Sequence, residues 1–126
     1  MTPENRQRFI LAGNATFTIV SKKTGIRFTY RVQSENSIHF VEVLTGPGVY
    51  TYLGTISKAT HYRHGVKSPI DASATSAQAF NWYWCHRCSP MIEFFHAGSC
   101  GRCGRKLTVP ESIESGLGPE CARRVY

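Results

Sequence analysis

Ile26-Arg27-Phe28-Thr29-Tyr30-Arg31-Val32 is the stretch that decides the fold class. Apolar and polar residues alternate along it, so Ile26, Phe28, Tyr30 and Val32 share one face and Arg27, Thr29 and Arg31 the other. A period of two is the signature of a strand that is buried on one side. Just before it, Ala15-Thr-Phe-Thr-Ile-Val20 alternates in the same way, and Ser21-Lys-Lys-Thr-Gly25 is a short Gly-bearing link. The pair reads as a hairpin.

Working outward, Gln33-Ser-Glu-Asn-Ser37 is a polar turn cluster. His39–Leu44 reads as a third strand, broken by Gly46-Pro47-Gly48. Val49–Ile56 reads as a fourth, with Gly54 marking a bulge or a close backbone approach. Consecutive strands with short links favour an antiparallel meander. His61–Lys67 is a basic aromatic loop or short strand, and Ser68–Ser73 is a linker. Ala74–Trp84 has a helical stripe (Ala74, Ala77, Phe80, Trp84), with Ser73 as the expected N-cap. Trp82 and Tyr83 make that helix apolar over more than one face. Such a helix is expected to be buried on two sides, between sheet and tail or in an oligomer interface. A homodimer through residues 74–84 is one arrangement this allows. Residues 1–13 show no clear period and read as a loosely docked arm.

The tail is punctuated differently. Cys100-Gly-Arg-Cys103-Gly has the spacing and glycines of a zinc knuckle, in which two thiolates on a tight turn chelate one ion. Thr108-Val-Pro-Glu111 has the capping-box pattern, predicting a short helix over roughly 109–115 that ends at Gly116. Pro119 then suits the first position of a second helix, which places Cys121 in its first turn. A knuckle followed by a ligand at a helix start is the order of a treble-clef-like site. Three ligands leave such a site open, and two completions compete. His96 gives H-x3-C-x2-C-x17-C, whereas Cys85 and Cys88 give a four-cysteine ribbon with Cys100 and Cys103 that strands Cys121.

The block from Cys100-Gly-Arg-Cys-Gly-Arg-Lys-Leu-Thr to Gly118-Pro-Glu-Cys121 resembles a zinc-binding domain of unknown function found in bacteriophage and prophage proteins. That domain often carries a histidine a few residues before the knuckle, the position that His96 occupies. The upstream Asn14–Val32 stretch and Tyr52-Leu-Gly-Thr-Ile56 are also similar to the N-terminal part of such phage proteins. The resemblance implies Zn held by His96, Cys100, Cys103 and Cys121, and it brings no established activity. The expected fold is α+β: a small antiparallel sheet with an aromatic-rich helix over residues 1–84, then a treble-clef-like zinc module over 85–126.

Composition narrows the function classes. The 126 residues are 41% hydrophobic and 18% charged, which suits a globular chain. No apolar run approaches the roughly 20 residues of a membrane span, and no signal-peptide core is present, so the expected location is cytoplasmic, in a bacterial host. Five cysteines in that setting argue for metal rather than disulfides. The net charge is +7, with nine Lys/Arg against four Asp/Glu in residues 1–84 and six against four in 85–126. Lys22, Lys23, Arg27, Arg31 and Arg63 in the sheet unit, and Arg102, Arg105, Lys106, Arg123 and Arg124 in the tail, are the candidate contacts for phosphate or an acidic partner. Tyr50 and Tyr52 are expected in the core. No P-loop, dinucleotide fingerprint or nucleophile triad is present. The expectation is a non-enzymatic zinc protein that binds nucleic acid or a nucleoprotein. The alternative is an inhibitor or adaptor acting on a host protein such as a defence nuclease. A zinc hydrolase is the weakest reading, because the acid precedes the histidine (Glu93, His96) and lacks a helix context.

Overall fold

The computed structural model describes residues 1–58, 60–108 and 110–125. Five strands run as the expected antiparallel meander: β1 (Asn14–Ser21), β2 (Arg27–Glu35), β3 (Ile38–Gly46), β4 (Val49–Ser57) and β5 (His61–His64). The β2–β3 link is two residues, Asn36 and Ser37, both with positive φ. That left-handed pair matches the twist of the flanking strands and fixes the register. The fourth strand carries the anticipated irregularity: Val41 faces Gly54 and Glu42 faces Tyr52, so Leu53 is the extra residue of a bulge. A Cβ on Gly54 would lie 2.8 Å from the Tyr62 hydroxyl, which explains why no side chain stands there.

Helix α2 (Thr75–Cys85) then crosses one face of the sheet and delivers β6 (Ile92–His96) to the far edge, beside β1. The strand order is β5-β4-β3-β2-β1-β6. Strand β6 lies beyond residue 84, so the expected division at 84/85 does not separate sheet from tail: the sheet draws on both sides of it.

The helix-covered face is the core. Ala15, Phe17 and Ile19 alternate inward from β1, with Tyr30 and Val32 from β2 and Val41 and Val43 from β3. Helix α2 meets them with Ala77, Phe80, Tyr83 and Trp84. Phe80 is the hub, its ring 5.0 Å from Tyr30, 4.8 Å from Tyr62 and stacked at 6.2 Å on Trp84. Two polar tips find backbone partners: the Tyr30 hydroxyl donates to Ser76 O (2.7 Å), and Trp84 Nε1 donates to Thr60 O (3.1 Å). The N-cap of α2 is Ala74, with no side-chain cap bond. Ser73 is instead turned to the Asp71 carboxylate, to which its hydroxyl donates at 2.7 Å.

Burial drives the neutral form of the core phenols. It pushes Tyr83 up to about 12 and holds Tyr30 and Tyr62 above the usual phenol range. A raised folded-state pKa contributes stability that is complete below the unfolded value near 10 and is lost as pH climbs through the folded value. The expected result is an unfolding midpoint that declines from about pH 10 toward 12, with phenolate absorbance lagging that of free tyrosine. Phenolate appearing at the free-tyrosine pH without loss of fold would contradict this burial.

Residues 3–10 are helical rather than a loose arm. Thr2 caps α1 (Pro3–Ile10) by accepting from Asn5 N (3.1 Å), Pro3 takes the first helical turn, and Phe9 and Ile10 are fully buried. Phe9 sits edge-on to Phe17 (6.4 Å) and Phe94 (6.0 Å), with the His96 ring 5.6 Å away. It also fills the space beside two tail glycines: a Cβ on Gly101 would stand 2.6 Å from the Phe9 ring, and Gly116, at φ 74°, faces the same ring. No helix among the described residues is long and apolar enough to cross a membrane.

Candidate metal centre and basic surface

The tail beyond β6 is a tight hairpin followed by α3 (Pro110–Ser115) and α4 (Pro119–Val125). Ser99 bridges Lys106 across the hairpin, and Cys100 N donates to Arg105 O at 2.7 Å. Gly104, at φ 81°, closes the turn, its amide donating to Cys100 O (2.9 Å). Helix α3 begins at Pro110; the residue before it, Val109, lies outside the described residues. It ends at Gly116, as expected, and the Gly101 amide donates to Gly116 O (2.8 Å), which fastens the excursion onto the knuckle. Asn14 N donates to Gly101 O (2.6 Å), so the first residue of β1 anchors the knuckle to the sheet.

This arrangement gathers three thiols. The Sγ atoms of Cys100, Cys103 and Cys121 all lie within 4.8 Å of one another. Cys100 is fully buried, Cys121 is buried, and Cys103 is exposed. The Cys100 sulfur accepts from Gly118 N (3.3 Å) and Arg102 N (3.4 Å), while Arg102 Nη1 reaches Cys121 Sγ at 3.7 Å. Burial pushes the Cys100 thiol up, but the amides of Cys103, Gly118 and Arg102 outweigh it and hold the thiol near 7. Burial, the largest cause, pushes Cys121 up, and the neighbouring thiols add to it. The centre can therefore supply one thiolate near neutral pH at Cys100, and Cys121 must lose its proton to a bound cation. Soft sulfur donors this close together could hold a metal ion.

The remaining cysteines stand elsewhere. Cys85 and Cys88 are exposed at the end of α2 and in the turn after it, outside the cluster, so the four-cysteine ribbon is not assembled among the described residues. His96, expected as the fourth ligand, is not in the cluster either. It faces inward from β6 toward Phe9, and both ring nitrogens are engaged by backbone. Nδ1 accepts from Gly98 N (2.9 Å), which leaves the proton on Nε2 to be donated to Ile113 O (2.6 Å). A neutral imidazole used at both nitrogens has no lone pair left for a metal. In this structure His96 ties β6 to α3.

The candidate basic residues divide into two groups. In the tail, Arg102, Arg105, Lys106 and Arg124 line one pocket of about 550 Å³ together with Cys103 and Cys121. Glu120 contributes a carboxylate to the same rim. Arg123 is turned away, exposed and 4.0 Å from Glu120. In the sheet unit, Arg27 and Arg63 are exposed on the uncovered face, as the alternation predicts. Arg31 is not a free cation: it makes a two-pronged ion pair with Glu42 (2.9 and 3.2 Å) and lies 4.3 Å over the Tyr50 ring. Tyr50 and Tyr52, expected in the core, are half-buried on that same uncovered face. The bulge at Leu53 is the reason, since it turns Leu53 inward and leaves Tyr50 and Tyr52 opposite the outward Leu44 and Glu42. Lys22 and Lys23 project from the β1–β2 turn.

Among known proteins, residues 93–126 match a family of unknown function (DUF6011). The match covers β6, the knuckle and both tail helices, about a quarter of the chain. No curated protein and no solved structure matches the chain. Residues 1–92, which hold α1, β1–β5 and α2, lie outside the matched segment.

Proposed function

We propose that the chain is a non-enzymatic, zinc-stapled protein of phage type that binds nucleic acid through its tail. The observation that carries the reading is the clustering of Arg102, Arg105, Lys106 and Arg124 around a pocket whose wall includes Cys103 and Cys121. Four cations converge there on a segment that a bound ion would hold rigid, and guanidinium groups are well suited to phosphate oxygens. Zinc fits the donor set: thiolates on a turn and a helix start are its usual structural ligands, in a treble-clef-like order. Cys100, Cys103 and Cys121 would hold it, and a fourth donor from outside this set would complete a tetrahedron. The ion's role in this reading is to fix the tail.

The test is a salt titration with a labelled single-stranded oligonucleotide. Affinity is expected to fall linearly on a log–log plot, and Arg105→Ala with Lys106→Ala is expected to reduce the slope by about 0.7 for each phosphate no longer neutralised. Both side chains are exposed, so the fold should be unchanged. Absence of binding at low salt, or an affinity and slope indifferent to the double substitution, would sink the proposal.

A further inference from the structure

A second feature lies on the other side of α2. The helix buries Tyr83 and Trp84 but leaves Trp82 43% exposed. Ile26 (47%) and Met91 (45%) are equally open, and the three line one groove of about 490 Å³ with Phe28, Ile92 and Ala79. Large apolar side chains scattered singly over a surface need no explanation, but three sharing one concavity mark a contact site. The rim of the groove is cationic. Lys23 lines it directly, and Lys22 precedes it in the same β1–β2 turn, both exposed, whereas Arg27 lies on the other face of the sheet. No Asp or Glu is among the lining residues, and neither lysine is in an ion pair among the described residues.

We propose that this groove docks a short acidic amphipathic segment of a partner protein. One or two large apolar side chains of the segment would enter between Trp82 and Ile26, and its carboxylates would meet Lys22 and Lys23. The charge on the rim selects among occupants. A second copy of this chain would bring the same cations toward one another across a two-fold axis, with a net charge of +7 on each protomer. Nucleic acid fits the floor poorly: Trp82 already has one face stacked on His86 at 4.3 Å, and the rest of the lining is largely aliphatic rather than a row of aromatic platforms. An apolar anchor with an acidic surround complements both floor and rim. The groove is remote in sequence from the tail cations, and neither site depends on the other.

The test uses a synthetic amphipathic peptide with Leu and Phe at helical spacing and Glu elsewhere, beside a copy with Lys in place of every Glu. Binding is read from Trp82 emission and from anisotropy of the labelled peptide. Trp84 is buried and serves as an internal constant. The acidic peptide is expected to bind and the basic copy not to. Lys22→Glu with Lys23→Glu should weaken binding by about tenfold or more, chiefly through slower association, and Trp82→Ala should abolish it. Unchanged circular dichroism of these exposed-site variants separates impaired docking from unfolding. Four results overturn the proposal: no binding of the acidic peptide to the wild-type protein, binding indifferent to these substitutions, concentration-dependent self-association removed by Trp82→Ala, or an oligonucleotide that perturbs Trp82 while the acidic peptide does not.

Discussion

On the proposed zinc reading, Cys100→Ser is expected to release the ion and to loosen the chain beyond β6. Cys100 is the fully buried member of the cluster and its sulfur already accepts two backbone amides, so it is the thiol best prepared to be a thiolate. Loss of an outer-shell partner alone costs about 10–100-fold in metal affinity, and removal of one of three donors should exceed that. The consequence for folding is large because the tail has little else to hold it. Its own buried apolar set is small: Leu107 and Leu117 beside Cys100 and Cys121. Binding free energy at such a site is folding free energy. The measurements are zinc stoichiometry and hydrogen exchange, with amides of residues 98–107 losing protection while β1–β5 keep theirs. Affinity should also fall as pH drops below about 7, since the proton competes at Cys100. A Cys85→Ser control should retain the metal, because Cys85 is outside the cluster. Retention of zinc in Cys100→Ser with loss in Cys85→Ser would show that the cluster is not the metal site.

Phe9→Ala is the second substitution with a large expected effect. The ring is fully buried and touches three different parts of the protein: Phe17 of β1, Phe94 and His96 of β6, and the two tail glycines. Truncation removes the ring from the core and leaves a cavity at the meeting point of sheet and tail. The cost is expected to be about 3–5 kcal/mol, a large share of a small domain's total stability. The same change at Phe95, half-exposed on the outward face of β6, should cost no more than about 0.5 kcal/mol. Urea denaturation of the two variants decides the matter, and equal midpoints would refute the placement of Phe9. Because Gly101 and Gly116 pack on that ring, the Phe9 variant should also bind zinc more weakly than wild type, although no ligand is altered. Adding bulk from the other side is expected to act alike: Gly116→Ala combines a positive φ with a direct collision.

Strands β1–β4 were legible because each is bounded by turn residues and alternates with period two over a half-buried face. The knuckle, the end of α3 at Gly116 and the start of α4 at Pro119 were legible for a different reason, being written in single residues with special backbone demands. Strand β6 was harder to see. Ile92, Phe94 and His96 do alternate inward, but with Phe95 beside them the stretch reads as an apolar run rather than as a period. Helix α1 carried its signals openly, a Thr2 cap and Pro3 at the start. Its eight residues are too few to hold a helix alone, and it is the burial of Phe9 and Ile10 that holds it.

Local chemistry in the sequence thus determined the meander, the cysteine knuckle and the helix-start cysteine. Those features depend on residues close in the chain, where backbone preference and side-chain period act directly. Only the tertiary structure decided what is brought together from afar. It carried β6 back to the edge beside β1, turned His96 inward to spend both nitrogens on backbone, and set Cys85 and Cys88 apart from the three-thiol cluster. It also opened a groove under Trp82 on a helix whose apolar pattern implied burial on both sides. Spacing fixes which ligands are near in sequence. Which lone pairs remain free is fixed by the packing that surrounds them.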